Sequence, residues 1–184
     1  MIFKKKKNPL REAIYAAYHV KNGISKLDIL VDRIKTRRNR LLEIAAELEA
    51  RGESFLAKKY ASEVSKLDNI CNRLLDIRLV LEKISLVLEY SINRRIFEET
   101  MREVYSLLTD LKKLPESTIP ELGLTLVNIE YSIKNILDDY IELGFNIEYS
   151  PPSDENVNKI LEEAKTILKN RLEADLSPET SSKV

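Results

Sequence analysis

Apolar residues recur at alternating spacings of three and four through most of the chain, which is typical of helices that bury one narrow stripe. The first stripe consists of Ile24, Leu27, Val31, Ile34, Leu41, Ala45 and Leu48, with Arg38 at the place where the pattern expects an apolar residue. A second, unbroken stripe consists of Leu67, Ile70, Leu74, Ile77, Leu81, Ile84 and Leu88. Such narrow stripes predict two helices that pack against each other.

Helix-breaking residues are rare in the same region, since residues 10–114 contain no proline. Asn8 and Pro9 form a favourable helix start, and the first helix is predicted to run to about Ala50, with Gly23 as the place where it could bend. The connection at 51–54 is short, so the second helix must return antiparallel to the first. The sequence therefore predicts a long helical hairpin.

Three shorter helices are predicted after the hairpin. The stripe slips in phase near 91–96, and a third helix is expected at about 96–113, either continuous with the second or kinked from it. Pro115 and Pro120 then mark a hinge. The stripe of the fourth helix consists of Leu122, Leu126, Ile129, Ile133, Ile136, Tyr140 and Leu143. After an extended linker, Asp154 is predicted to cap a fifth helix at about 155–174. The predicted fold is all-α.

These elements divide the chain into five predicted segments. They are a basic N-terminal tail (1–8), a hairpin core with the third helix (9–114), a hinge with the fourth helix (115–144), a linker with an acidic C-terminal helix (145–176) and a disordered tail (177–184).

Charge divides the chain into two opposite parts, although its net charge is zero. Residues 1–113 carry 24 Lys and Arg against 16 Asp and Glu, whereas residues 114–184 carry 6 against 14. A chain of this kind can bind an anionic surface with its front and shield that front with its back. The single cysteine excludes a disulfide framework and favours a reducing cytoplasm, where Cys71 is interpreted as a core residue.

Sequence signatures of catalysis are missing. One histidine is too few for a two-histidine metal site, and there is neither a glycine-rich phosphate loop nor a GxSxG motif. The paired acids fall on exposed helical faces. We therefore expect no enzyme and no cofactor.

The order of elements resembles the ESCRT-III family: a basic first helix, a long hairpin, a proline-marked break with reversed charge, and a short acidic helix after a proline linker. The segment LPESTIPELGLTLVNIEYSIKNIL (114–137) resembles the archaeal CdvB branch. The resemblance covers about residues 10–175. It implies a short paralogue that lacks the winged-helix extension.

This resemblance implies a filament subunit that polymerises on anionic membrane and drives membrane remodelling or scission in archaeal cell division. Expected partners are further copies of the chain, paralogous subunits, and the MIT domain of an AAA ATPase that disassembles the filament. The expected location is cytoplasmic, on the inner face of the cell membrane at the division site.

The N-terminal residues combine an apolar group with a run of lysines, which suits peripheral membrane contact. Each lysine near an anionic surface contributes about 1 kcal/mol before screening. The predicted membrane-binding residues are Met1, Ile2, Phe3, Lys4, Lys5, Lys6, Lys7 and Arg11. The alternative is a solubilising tail. A further basic face, for membrane or for acids of a neighbouring subunit, comprises Arg33, Lys35, Arg37, Arg38 and Arg40.

The last helix offers a candidate ATPase-docking motif. Leu168, Arg171 and Leu172 resemble the LxxRL core by which family tails bind the MIT domain. The next leucine of that pattern would fall at Asp175, whereas here it is Leu176. Alternatively, this helix folds back on the hairpin, and the two interpretations agree if its release is a switch.

The sequence suggests electrostatic autoinhibition, in which the acidic C-terminal part covers the basic hairpin until membrane or neighbouring subunits displace it. The main alternative is a soluble coiled-coil scaffold without membrane activity. Nucleic-acid binding is not expected, because the basic run lacks interleaved aromatic residues.

Overall fold

A computed structural model describes residues 8–142 and 154–176, apart from the side chains of 140–142, 175 and 176. The described residues form five α-helices and a short 3-10 helix, so the prediction of an all-α fold is confirmed. The α-helices are α1 (Pro9–Ala50), α2 (Ser54–Arg94), α3 (Phe97–Lys112), α4 (Pro120–Glu142) and α5 (Glu155–Leu176), and the 3-10 helix is Pro115–Thr118.

Helices α1 and α2 form the predicted antiparallel hairpin. The α1 helix begins where Asn8 Oδ1 accepts a hydrogen bond from the amide of Leu10 at 3.0 Å, as predicted for this cap. It ends at Ala50, and Gly52 follows in the turn with a φ of +79°, which favours glycine. The amide of Glu53 donates to the Leu48 carbonyl at 2.9 Å, which closes the turn and directs α2 back along α1.

The α1 helix runs without interruption through Gly23, and its 42 residues span about 63 Å. Gly23 lies where α4 crosses this helix, and a β-carbon there would overlap the Thr125 methyl group. The glycine therefore permits close contact between two helices and does not bend α1.

A kink separates α2 from α3, which decides between the two alternatives left open by the sequence. Arg95 adopts a left-handed conformation with φ of 55°, and α3 begins at Phe97. The hydroxyl groups of Ser91 and Thr100 lie 2.7 Å apart beneath this kink, and each also lies within hydrogen-bond distance of the carbonyl four residues earlier, so the two hydroxyls share their hydrogens among these acceptors. These bonds satisfy the polar groups that the change in direction buries.

The stripes predicted for α3 and α4 form the centre of the fold. Val104, Leu107, Leu111 and Leu114 are buried on and after α3, and the α4 stripe is buried from Leu122 to Ile136. The predicted positions Tyr140 and Leu143 lie outside the described side chains. Helix α4 packs against α1 and α3, and α5 packs against α2 and α3. Five helices therefore share one core.

The contiguous core ends at Val31 on α1 and Cys71 on α2. We call residues 35–72 the arm and the other described residues the base. In the arm, Ala45, Ala57 and Val64 are buried outside the contiguous core. The hairpin therefore projects from a five-helix base as a slender pair.

The predicted burial of the α2 stripe is wrong at one residue. Ile70 is exposed, and Val64 and Cys71 occupy the buried positions beside it. The buried face of α2 rotates at this point, because α2 meets only α1 in the arm and meets α3 and α5 as well in the base. Cys71 is a core residue as predicted, and its burial raises the pKa of the thiol.

Candidate docking and assembly surfaces

Helix α5 lies in a groove between α2 and α3, and an apolar stripe holds it there. Val157, Leu161, Ala164 and Leu168 are buried, and Leu172 is half-buried against the same core. The contacts pair the start of α5 with the end of α2, so the two helices are antiparallel. In this structure the last helix therefore folds back on the hairpin, which was one of the two interpretations from sequence.

Three ion pairs border this apolar stripe. Glu163 pairs with Lys83 of α2 at 2.6 Å, and Lys165 pairs with Glu103 of α3 at 2.6 Å. Arg171 pairs with Asp76 of α2. Glu103 is buried and the Lys83 side chain is 16% exposed, so two of the pairs are partly shielded from solvent.

The direction of these pairs does not follow the overall charge of the two parts of the chain. In two of the three, α5 supplies the cation and the hairpin or α3 supplies the acid. Helix α5 is therefore held by buried apolar residues and by individually matched charges. The hypothesis of electrostatic autoinhibition stays a prediction.

Asp154 secures the start of α5 and was correctly predicted as its cap. Its Oδ1 accepts hydrogen bonds from the amides of Asn156 at 2.9 Å and Val157 at 3.1 Å, while the Tyr90 hydroxyl donates to its other oxygen. The bond from Tyr90, together with those amides, lowers the pKa of Asp154. Lys83 likewise lowers the pKa of Glu163. No feature of the sequence pointed to Tyr90 as the partner on α2.

The residues predicted to dock on the ATPase are partly occupied by these contacts. Leu168 is buried, Leu172 is half-buried, and the Arg171 guanidinium is engaged by Asp76. The Leu176 side chain lies outside the described residues. The three described positions therefore face the hairpin, and a partner helix could reach Leu168 only after α5 moves.

The predicted hinge is a short, well-connected link. Pro115 begins the 3-10 helix and Pro120 begins α4. The buried Glu116 accepts a hydrogen bond from Arg73 of α2 at 3.4 Å through one oxygen. Its other oxygen is buried without a hydrogen-bond partner among the described residues. The Ser117 hydroxyl donates to the Leu114 carbonyl at 2.7 Å, which tightens the link further.

The five residues of the predicted basic face do not all point to solvent. Arg33, Lys35, Arg37 and Arg40 are exposed. Arg38 instead lies along the line of contact between α1 and α2, which we call the seam. There its Nε donates to Asp68 of α2 at 2.9 Å. Arg38 is thus already paired within the chain, because the stripe position that it occupies faces α2.

The predicted N-terminal membrane residues 1–7 lie outside the described residues. Arg11 is described and exposed on the first turn of α1. Its guanidinium donates to the Tyr15 hydroxyl at 3.2 Å and lies 5.5 Å from the centre of the same ring. None of the helices that the structure describes is both long and apolar enough to span a membrane.

Comparison with known proteins supports the family resemblance. The chain is 27% identical to Cell division protein B1 of Sulfolobus acidocaldarius over 173 residues, which cover 91% of the chain and 79% of that protein. It is 25% identical to Cell division protein B of the same organism over 177 residues, covering 96% of the chain and 67% of that protein. These similarities support the CdvB-type ESCRT-III family for this chain. No protein-family model and no solved structure matches it.

The matches to the two CdvB proteins extend over hairpin, hinge and last helix together, since they cover more than nine-tenths of the chain. The all-helical fold and the relatives named for cell division favour a structural role for the chain. Within the described residues, no cluster of His, Cys, Asp and Glu side chains is arranged to hold a metal ion.

Proposed function

We propose that this chain is a filament subunit that polymerises on anionic membrane and drives membrane remodelling or scission in archaeal cell division. The relatives named for cell division, which match nearly the whole chain, carry this proposal. The projecting arm supports it, because a slender helical pair presents long lateral faces to further copies of the chain and to paralogous subunits.

In the proposed cycle the structure described above is the unassembled subunit. Helix α5 covers part of α2 and α3, so those surfaces become available to neighbouring subunits when it leaves. The hinge at Pro115–Pro120 then opens. An AAA ATPase binds the released α5 through its MIT domain at Leu168, Arg171 and Leu172, and extracts the subunit. The basic residues of the N terminus and of α1 contact the membrane.

Removal of α5 tests the inhibitory part of this cycle. A chain lacking residues 145–184 should form filaments at lower concentration than the full chain, with the difference enlarged by anionic vesicles. Negative-stain electron microscopy and sedimentation provide the measurement. A truncated chain that stays monomeric with vesicles present contradicts the proposal. A small oligomer of fixed size without vesicle binding would instead support a scaffold protein.

Two substitutions at the ion pair between Arg171 and Asp76 distinguish the effect of releasing α5 from the effect of damaging its docking motif. Asp76→Ala removes the α2 partner of Arg171 and leaves the motif intact, so binding of an isolated MIT domain should increase. Arg171→Ala breaks the same pair but also removes a motif residue, so binding should not increase. Equal behaviour of the two variants would show that Arg171 does not contact the MIT domain.

A further inference from the structure

Six large apolar side chains, towards the start of α1 and on α4, are exposed and lie away from the contacts between helices described above. Three belong to the first turns of α1, and three form a stripe on α4 with spacings of three and four. Their exposed fractions are 50% for Ile14, 43% for Tyr15, 63% for Tyr18, 64% for Leu124, 52% for Val127 and 65% for Tyr131.

These side chains lie on one face, because α1 and α4 are antiparallel neighbours. Asn135 donates to Glu12 at 3.4 Å, and Thr125 packs on Gly23. The numbering therefore runs in opposite directions along the two helices, which places Tyr131 level with the first turns of α1. The missing β-carbon at Gly23 lets the helices approach closely, so no wide groove divides the face.

Helical periodicity points both stripes away from the core. On α1, Glu12 and Gly23 mark the side towards α4, while Lys21 and Asp28, which pair with α2, mark the other side. At about 100° per residue, Tyr15 and Tyr18 fall outside both contacts, and Ile14 lies at the edge of the face on the side of Lys21. On α4, the stripe of Leu124, Val127 and Tyr131 likewise lies opposite the buried stripe from Leu122 to Ile136. We call these six residues the outer face.

Exposed charges surround the outer face. Arg11 stacks on Tyr15, and further exposed cations lie at Lys26, Arg33 and Lys134. The exposed acids are placed towards the ends, at Asp32, Glu121 and Asp138. The four lysines Lys4–Lys7 directly precede α1 in the sequence, only one turn of helix and a cap before the first residues of the face.

We propose that the outer face, formed jointly by α1 and α4, lies against an anionic lipid surface before the hinge opens. This inference rests on the proposed membrane function and adds α4 to its contact surface. Tyrosine combines an apolar ring with a polar hydroxyl and favours the boundary between acyl chains and headgroups. Three of the six residues are tyrosines, and the adjacent lysine run supplies the attraction to anionic headgroups.

The absence of tryptophan from the chain permits a direct test. Tyr131→Trp gives the full chain a single tryptophan on the α4 part of the outer face. Thr166→Trp is the control, because Thr166 is exposed on α5, which packs against α2 and α3. With vesicles of phosphatidylserine and brominated phosphatidylcholine, fluorescence of Tyr131→Trp should be quenched and that of Thr166→Trp should not.

A second measurement uses binding itself. Tyr131→Glu should lower the affinity for the same vesicles by about tenfold in a sedimentation assay, since it adds a charge to a face that contacts lipid. Thr166→Glu should bind as the unchanged chain does, and circular dichroism confirms that both variants are folded. Unquenched Tyr131→Trp together with undiminished binding of Tyr131→Glu would overturn the role of α4.

The outcomes distinguish this inference from the proposed function. If the unchanged chain binds vesicles and substitution of Lys4–Lys7 by glutamine abolishes binding while Tyr131→Glu does not, the membrane function stands and the outer face is refuted. If the unchanged chain binds no anionic vesicles, both fail. If Tyr131→Glu disrupts self-association without vesicles, the outer face is a contact between subunits and the inference is wrong.

Discussion

The base and the arm contain the same two helices but are stabilised to different degrees. In the base, α1 and α2 are covered by α3, α4 and α5, and Leu74, Leu81 and Leu88 are fully buried. In the arm the same helices have only each other, and their buried side chains are small: Ala45, Ala57, Val64 and Cys71. The difference follows from the number of neighbouring helices, since the amount of apolar surface removed from water sets the main stabilising term.

This comparison separates two tasks within one hairpin. The base holds the helices in place and provides the groove for α5. The arm extends about 24 Å further with little core of its own, and it carries exposed Lys35, Arg37 and Arg40. A long helical pair with exposed charge is suited to contact other molecules, and its low burial makes it the part that opens most readily.

Truncation of buried side chains should give the largest difference between the two regions. Leu81→Ala in the base should lower the free energy of unfolding by about 2–5 kcal/mol. Val64→Ala in the arm should lower it by about 1 kcal/mol, because fewer contacts are lost there. Urea unfolding followed by circular dichroism measures both. Equal losses would show that the arm is as tightly packed as the base.

The same difference explains how far the sequence could predict the fold. Where α2 is surrounded, its stripe of leucines and isoleucines was predicted correctly, because every apolar residue on the core side is buried. In the arm the prediction included Ile70, which is exposed, and omitted Val64. A sequence stripe shows that one face of a helix is apolar, but the position of the partner helix decides which edge of that face is buried.

A substitution in the arm seam should have a smaller effect in the opposite direction. Arg38 occupies the seam and pairs with Asp68, whose side chain is 47% exposed. Arg38→Leu should stabilise the arm by about 0.5–1 kcal/mol, because an apolar residue completes the seam and an exposed ion pair contributes little. Hydrogen exchange of arm amides provides the measurement.

Arg37→Leu is the matched control, since Arg37 is exposed beside the seam and its replacement should leave exchange in the arm unchanged. Faster exchange in Arg38→Leu would show that the pair with Asp68 contributes more than packing does.

The candidate surfaces were predictable only where they depended on local sequence. Asp154 was identified as the cap of α5 from its position before an apolar stripe, and Pro115 and Pro120 marked the break between α3 and α4. The groove that receives α5 could not be predicted, because Asp76, Lys83 and Glu103 come from two other helices. Arg38 was assigned to the basic face although it also occupies a position of the apolar stripe, and the structure places it between the two helices, paired with Asp68.

The kink in the base offers a prediction of similar size that leaves the arm unaffected. Arg95 adopts φ of 55°, a conformation that costs a non-glycine residue about 1 kcal/mol. Arg95→Gly should therefore raise the free energy of unfolding by about 0.5–1 kcal/mol. Arg94→Gly should lower it by about 1 kcal/mol, because Arg94 is the last residue of α2. Urea unfolding distinguishes the two, and a loss of stability in both would show that the side chain of Arg95 outweighs its backbone strain.

The smallest expected effect is that of pH on the attachment of α5, which should distinguish α5 from the rest of the base. The pKa of Asp154, lowered by Tyr90, and the pKa of Glu163, lowered by Lys83, are both below their ordinary values of 3.8 and 4.5. A lowered pKa in the folded chain means that these acids stabilise attached α5 above about pH 4.5, and that this contribution disappears as pH falls through the lowered values. Burial lowers the pKa of Lys165, but Glu103 and Glu162 raise it overall, so Lys165 stays charged throughout this range.

Acidification should therefore loosen α5 before it opens the rest of the base. Hydrogen exchange of α5 amides, corrected for the intrinsic effect of pH, should accelerate between pH 5 and pH 3 relative to α4 amides. The double substitution Asp154→Asn and Glu163→Gln should reduce this dependence and weaken the attachment of α5 at neutral pH. If α5 and α4 instead open together at every pH, then α5 is an integral part of the base, and its release requires a partner that opens the whole five-helix core.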